Sequence, residues 1–354
     1  MEALLDQLVE RNELDQEELV CLLQQLKTGS RDRLFHLAVQ TRKLHYSETV
    51  YLRGLIEFSS FCRQDCLYCG LRRSNTEAER YRLTEAEIME CAEEGYRLGY
   101  RSFVLQSGED AYYTEARLIR IVTGIRRRCP GAAITLSVGE RSEGFYRALF
   151  EAGADRYLLR HETASRPLYQ SLHPGMSYDN RMECLRVLKS IGYQVGTGFM
   201  VGLPGQTLSH LAEDLLLLKK LQPHMIGIGP FIPHSRTPLG EMQGGTVDDT
   251  LVMLALARLL VPDALMPATT AMGTLDPLGR EKALQAGCNV VMPILSPLRV
   301  RRKYALYENK ICMGDEAALC RDCIEMRIAA SGYRIELSRG DHCSYKERPR
   351  KYQS

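Results

Sequence analysis

From Tyr51 onward, short strand-like runs alternate with amphipathic helical segments, and this alternation limits the fold more than any other feature of the chain. The predicted strands are Tyr51–Phe58, Ser102–Gln106, Ala133–Val138, Arg156–Arg160, Gln194–Val201, Met225–Gly229, Leu265–Thr269 and Asn289–Pro293. A helical segment follows nearly every one. Thr84-Glu-Ala-Glu87 is a capping box that opens a helix closing near Gly99. Leu208, Leu211, Leu215 and Leu218 line one face of a later helix, and Leu251, Leu254 and Ala255 begin another that ends before Pro262. Eight strand–helix repeats over about 250 residues predict an α/β fold, a closed (β/α)8 TIM barrel, with an open doubly wound sheet as the alternative.

The barrel is expected over residues 51–305. Before it, Leu4, Leu5 and Leu8, then Leu19, Leu22, Leu23 and Leu26, recur at helical spacing and predict an N-terminal helical segment over 1–50. Past about Arg299 the pattern is lost, so 306–354 is read as a C-terminal extension, its last fifteen residues basic and expected to be mobile. Net charge is +2, which gives no broad electrostatic reason to expect nucleic acid or an anionic membrane as partner. The longest apolar run, Leu251 to Val261, is shorter than a membrane span and contains Arg258. The acidic start, Met-Glu-Ala-Leu-Leu-Asp, does not read as a signal peptide, and a cytoplasmic location is expected.

Strand alternation also predicts a polar interior. Arg53 and Glu57 share one face of the first strand, Thr135 and Ser137 one face of the third, and Arg156, Leu158, Arg160 and Glu162 one face of the fourth. Arg53, Thr135, Ser137, Arg160 and Glu162 are expected to converge near the C-terminal rim, where barrel enzymes keep their sites. An arginine beside hydroxyl groups is suited to a substrate carboxylate, because guanidinium binds carboxylate bidentately.

Of the twelve cysteines, Cys62, Cys66 and Cys69 form a C-x3-C-x2-C triplet on the loop after the first predicted strand. Three thiolates so close suit three irons of a 4Fe–4S cluster, leaving the fourth iron open. A structural zinc site normally closes with four ligands, and no fourth Cys or His lies nearby in sequence. Cys21, Cys91, Cys129, Cys184 and Cys288 are isolated and read as small buried hydrophobes, while Cys343, in the tail, is left undecided.

The triplet, with Tyr68 just before its last cysteine, resembles the radical S-adenosylmethionine (SAM) superfamily. Gln106-Ser107-Gly108-Glu109 is similar to the superfamily segment that binds the SAM amino group. Arg160-His-Glu162-Thr-Ala, Gly198-Phe-Met200-Val-Gly-Leu-Pro-Gly205-Gln, Gly227-Ile-Gly-Pro-Phe-Ile-Pro-His234 and Pro267-Ala-Thr-Thr270-Ala-Met-Gly273 resemble the HydE family of FeFe-hydrogenase maturases, from about residue 50 to 325. The resemblance implies a 4Fe–4S cluster on Cys62, Cys66 and Cys69, with SAM chelated at the open iron and Tyr68 against its adenine. It implies SAM contacts from Glu162 and Arg181, with Met200 close by. It further implies a substrate cavity lined by Arg53, Thr135, Ser137, Arg160, Thr269, Thr270, Met292 and Tyr304.

The activity so implied is reductive cleavage of SAM to a 5′-deoxyadenosyl radical, which acts on a cysteine-bound Fe(CO)2(CN) precursor during assembly of the two-iron part of the H-cluster. The implied partners are an electron donor such as ferredoxin or flavodoxin, and the other maturases, a tyrosine-cleaving radical SAM enzyme and a scaffold GTPase. Methylornithine synthase and biotin synthase share the barrel and triplet and stand as alternatives. A non-catalytic iron–sulfur scaffold is a third. The biotin synthase stretch Tyr-Asn-His-Asn-Leu-Asp is replaced here by Arg160-His-Glu162. A second triplet, Cys312-x7-Cys320-x2-Cys323, lies where members of the family can hold an auxiliary 2Fe–2S or 4Fe–4S cluster. Zinc and free thiols remain open there, with His342 or Cys343 as a further ligand only if the tail folds back.

Overall fold

The computed structural model describes residues 1–314 and 317–345, with the side chains at 317–320 outside that description. Three helices come first: α1 (Glu2–Arg11), α2 (Gln16–Thr28) and α3 (Asp32–Tyr46). Asp15 and Glu18 cap α2 reciprocally, each side chain accepting the other's backbone N–H at 2.8 Å. The predicted leucines at 5, 8, 19, 22, 23 and 26 are buried in the same core as the barrel helices that follow. The isolated cysteines divide. Cys91, Cys129, Cys184 and Cys288 are buried, but Cys21, expected to be buried, is exposed on the outer face of α2.

The first predicted strand is two, β1 (Thr49–Leu52) and β2 (Gly54–Ser59). The chain then alternates: α4 (Glu85–Arg97), β3 (Ser102–Ser107), α5 (Glu115–Arg128), β4 (Ala133–Ser137), α6 (Glu143–Glu151), β5 (Arg156–Leu158), α7 (Arg166–Leu172) and α8 (Tyr178–Ile191). It continues with β6 (Gln194–Thr197), β7 (Met200–Val201), α9 (Leu208–Leu221), β8 (Met225–Ile226), β9 (Gly229–Pro230), α10 (Val247–Leu260), α11 (Thr270–Leu275), α12 (Gly279–Gln285), β10 (Val290–Val291) and α13 (Leu298–Arg301). The box at Thr84 caps α4 as predicted. α10 is buried nearly all round, because α3 packs on the side that faces away from the barrel.

Strands β2, β3, β4, β5, β6 and β8 pair in that order, each ladder parallel. Single parallel bridges, Met225 to Leu265 and Pro267 to Val290, carry the ring through the seventh predicted strand, and β10 returns it to β1. The ring closes as a parallel barrel, which excludes the open sheet. Leu265–Thr269 makes bridges rather than a ladder because Pro267 has no N–H to donate. The fifth predicted strand divides into β6 and β7 at Gly198, whose φ of 153° and close approach leave no room for a side chain: a Cβ would sit 2.0 Å from Gly227 O.

The C-terminal extension does not trail away. After α14 (Ala317–Ala330), β11 (Arg334–Glu336) adds to β1, Thr49 opposite Arg334. The chain then turns beneath the barrel. Asp341 accepts from Arg156 Nη2 at 2.6 Å and Gln194 Nε2 at 2.7 Å, and Gln194 Oε1 accepts the His342 N–H at 2.9 Å. Arg156 and Gln194 begin β5 and β6, so this segment plugs the N-terminal end of the ring. For residues 340–345 the expected mobile tail is thus corrected, since buried strand-start side chains hold it; residues 346–354 lie outside the described ones.

Candidate active site

At the other end of the barrel is a cavity of about 350 Å³, within the range of small-molecule sites. Inward positions of the strands line it: Leu55 and Glu57, Gln106, Ser137, Leu158 and Arg160, Gly227 and Gly229, Pro267 and Thr269, and Met292. Cys62, Cys66 and Cys69 form part of its wall.

The cysteine loop is tied down by its backbone. Arg63 N–H donates to Glu109 O at 3.0 Å, Leu67 N–H to Leu172 O at 2.9 Å and Gly70 N–H to Leu306 O at 2.9 Å. The Arg80 guanidinium donates to Leu71, Arg72 and Asn75 carbonyls at 2.8–3.0 Å. It thereby fixes the loop's return and places a positive charge near Cys62 and Cys69. At Gly108 a Cβ would meet Phe61 O at 2.3 Å and Cys62 Cβ at 2.7 Å, so only glycine lets β3 approach the first cysteine this closely. The Cys62 thiol accepts the Glu109 N–H at 3.4 Å.

Burial pushes all three thiols up, Cys69 to about 12, and Cys66 is raised further by its two neighbours. As bare thiols they resist ionisation; a cationic iron–sulfur core supplies the charge that makes three thiolates favourable together. Among the described residues the cavity wall offers no fourth Cys or His. Three half-buried, convergent sulfurs in a wall whose described residues hold no fourth Cys or His therefore fit a cluster that keeps one iron free, and do not fit a closed zinc site.

Around the triplet, Tyr68 OH lies 2.8 Å from His173 Nε2, and His173 Nδ1 lies 2.7 Å from Tyr169 O. Burial lowers His173 to about 4, so the ring is neutral, with its proton on Nδ1 and Nε2 accepting from Tyr68. Gln106, Ser107 and Gly108 line the cavity. The Glu109 side chain also reaches the wall, but its carboxylate already accepts from Arg63 Nε at 3.0 Å, Gln64 Nε2 at 2.6 Å and Glu140 N–H at 2.9 Å. It braces the cysteine loop against the loop after β4.

Glu162 takes a left-handed φ of 68°, and its carboxylate lies 2.9 Å from Arg160 Nη2. Arg181 donates from Nε to Glu140 at 2.6 Å and from Nη1 to Arg160 O. Burial opposes its charge, but Tyr169, Glu140 and Glu162 outweigh it and hold Arg181 above its usual range. Glu162, Arg181 and Met200 all face the cavity.

Of the eight residues expected around the substrate, Ser137, Arg160, Thr269, Thr270, Met292 and Tyr304 line the cavity, while Arg53 and Thr135 do not. Arg53 shares the inward face of Leu55 and Glu57 but lies a layer deeper, donating to Gly340 O at 3.3 Å and contacting Met225 Sδ at 2.8 Å. Thr135 is buried between Val104 and Arg156 in the strand register. Strand alternation gives the face of a residue, not its depth along the barrel. Sequence reasoning left out a buried ion pair in the same wall, Lys310 Nζ to Glu57 Oε1, with Lys310 also donating to Tyr304 O at 3.2 Å. Burial pushes the Glu57 carboxyl up, opposed by Lys310. Glu57 was visible as inward-facing; Lys310 comes from the extension, where no pattern signalled it.

In the second triplet, Cys312 is half-buried with a φ of 65°, and its thiol lies 3.6 Å from Arg280 Nη2. Cys323 is exposed on α14, and the Cys320 side chain lies outside the described residues. Among the described residues no helix is long and apolar enough to cross a membrane.

Residues 56–218 match the Radical SAM superfamily. The FeFe-hydrogenase maturase subunit HydE of Thermotoga maritima is 47% identical over 324 residues, 92% of each chain. The 3-methylornithine synthase of Methanosarcina acetivorans is 29% identical over 292 residues, 82% of each. A crystal structure of methylornithine synthase superposes with a TM-score of 0.82 at 28% identity, covering 94% of this chain and 97% of the other. Near full-length identity to one maturase, on a barrel whose first loop brings three thiols to the cavity, places the chain in the HydE family of radical SAM enzymes that serve FeFe-hydrogenase maturation.

Proposed function

We propose that the chain holds a 4Fe–4S cluster on Cys62, Cys66 and Cys69, binds SAM beside it, and acts on a cysteine-bound Fe(CO)2(CN) precursor of the H-cluster two-iron unit. The observation that carries this is the convergence of three half-buried thiols on the same cavity wall as Arg160, Glu162 and Arg181. Together, when bound, the cluster and SAM supply a one-electron cleavage that yields a 5′-deoxyadenosyl radical.

The chain's own residues position and exclude. Cys62, Cys66 and Cys69 would hold the cluster; Tyr68, Gln106, Ser107, Gly108, Glu162, Arg181 and Met200 would bind SAM. Glu109, in the same wall, would join them, while its carboxylate, which already accepts three hydrogen bonds, also braces the loop. Ser137, Arg160, Thr269, Thr270, Met292 and Tyr304 remain as the substrate wall. Arg160 offers a guanidinium for the amino-acid carboxylate, with the hydroxyls of Ser137, Thr269 and Thr270 in the same wall. The closed end under Arg53 leaves the rim as the entrance and keeps water from the reacting atoms. Ferredoxin or flavodoxin fits as donor, and the tyrosine-cleaving enzyme and scaffold GTPase fit as neighbours in the sequence of reactions, because family membership supports a role in maturation. The test is anaerobic: reconstitute with iron and sulfide, add SAM and dithionite, with and without the organometallic substrate, and quantify 5′-deoxyadenosine. Product is expected from the wild type and not from Cys62→Ala/Cys66→Ala/Cys69→Ala. No stimulation by the substrate, with 3-methylornithine formed instead from an amino acid, overturns the assignment.

A further inference from the structure

The plug carries a second constellation, at the opposite end of the barrel from the cavity. We propose that Asp263, His342 and Cys343 form a zinc site that fastens the C-terminal segment to the turn before the seventh strand. One carboxylate oxygen, one ring nitrogen and one sulfur all lie within 4.8 Å of one another. His342 Nε2 is 3.5 Å from Asp263 Oδ2, and Cys343 Sγ is 3.9 Å from the same oxygen. Around one zinc ion with bonds of about 2.0–2.3 Å, tetrahedral ligands stand roughly 3.3–3.8 Å apart. The His–Asp spacing falls inside that range and is longer than a direct hydrogen bond, and the Cys–Asp spacing lies just outside it.

The histidine supplies independent support. His342 is 5% exposed, and its Nε2 is buried without a hydrogen-bond partner. A buried ring nitrogen whose only facing group is a carboxylate 3.5 Å away, beyond good hydrogen-bond length, is better satisfied by an ion held between the two. The other ring nitrogen, Nδ1, lies 2.8 Å from Ser344 Oγ, a hydroxyl able to hold it in place once Nε2 binds a metal. Ser344 N–H donates to Nδ1 at 3.2 Å, which puts the ring proton on Nε2 without the ion, so zinc at Nε2 would shift that proton to Nδ1, where Ser344 Oγ can accept it.

The seat exists without the ion. Arg339 pairs with Asp155 at 3.1 Å and Asp341 at 2.7 Å, Asp341 with Arg156, and Gln194 holds the His342 backbone. Tyr46 donates its hydroxyl to Asp263 O from the other side. Ligands set in advance by such contacts lose little entropy on binding. The exposed Cys343 leaves the fourth position to water.

The test uses full-length protein with its first cluster reconstituted and Cys312, Cys320 and Cys323 changed to serine, so that zinc has no other cysteine group to occupy. After equilibration with buffered zinc, one zinc per chain is expected by elemental analysis. With cobalt in its place, a sulfur-to-cobalt charge-transfer band is expected. His342→Gln and Cys343→Ser should each weaken zinc binding by more than the roughly 10–100-fold typical of losing an outer contact, and Cys343→Ser should abolish the band. Cys21→Ser, at an exposed thiol elsewhere, should change neither readout. Circular dichroism of the metal-free variants checks that they remain folded. Should a variant unfold, the cobalt band of the folded background alone decides, since no thiolate band there means no site. Full zinc in both folded variants, or none in the background protein, overturns the proposal.

Discussion

At the residue scale the cavity's most informative side chains are those whose charge has no solvent to lean on. Glu57 and Lys310 are 1% and 3% exposed at their side chains and pair across the wall. Breaking a buried pair by removing one partner costs about 3–5 kcal/mol, because the remaining charge is left uncompensated. Lys310→Met is therefore expected to lower unfolding free energy by about that much. The double variant Glu57→Gln/Lys310→Met should recover part of the loss. Urea denaturation of the two cluster-free variants measures it, and equal losses in both would show that the pair is not coupled. Glu57 could be read from the sequence as inward-facing, but its partner could not, since Lys310 lies more than two hundred residues away outside any periodic element.

At the element scale, the strand-to-loop junctions decide whether the cysteines meet. The triplet sits on the loop after β2, but its position depends on the end of β3, where Gly108 backs onto Phe61 and Cys62. Gly108→Ala puts a methyl 2.3 Å from a backbone oxygen that cannot rotate away. Iron and sulfide per chain after reconstitution should fall well below the wild-type value. Gly144→Ala, where a Cβ meets nothing within 4 Å, should load normally. Normal loading of Gly108→Ala would mean that the loop positions itself without β3. Spacing and position made the triplet and its loop legible. The dependence on β3 was not, because a sequence motif does not show which backbone lies behind it.

At the scale of the whole molecule, buried imidazoles link the fold to pH. His161 and His173 are 0% and 1% exposed, and burial lowers them to about 3 and about 4. Unfolded, each titrates near 6.5. Below that value the unfolded chain binds protons that the folded chain refuses, so their contribution is complete above pH 6.5 and is lost as pH falls towards the folded values. Between pH 6.5 and 5 His173 should forfeit about 2 kcal/mol, at roughly 1.4 kcal/mol per pH unit. The loss at His161 is offset by Asp214, 3.3 Å away, whose carboxyl is pushed well up by burial and protonates in the folded chain. Chemical denaturation at the two pH values should show it, and a His173→Gln variant should lose less than the wild type. A His173→Gln profile identical to the wild type would place the His173 ring in contact with water.

What the sequence determined by itself is what depends on period and spacing: the eight-fold alternation, the cap at Thr84, the inward faces of the strands, and three cysteines on one loop. These are local, since side-chain direction and short-range hydrogen bonding follow from neighbours in the chain. Only the tertiary structure decided depth and closure. It placed Arg53 and Thr135 below the cavity although both face inward, brought Lys310 into the wall, and folded Asp341 and His342 under β5 and β6. A barrel closes through contacts between residues far apart in sequence, and no periodicity records which layer, or which distant segment, will meet there.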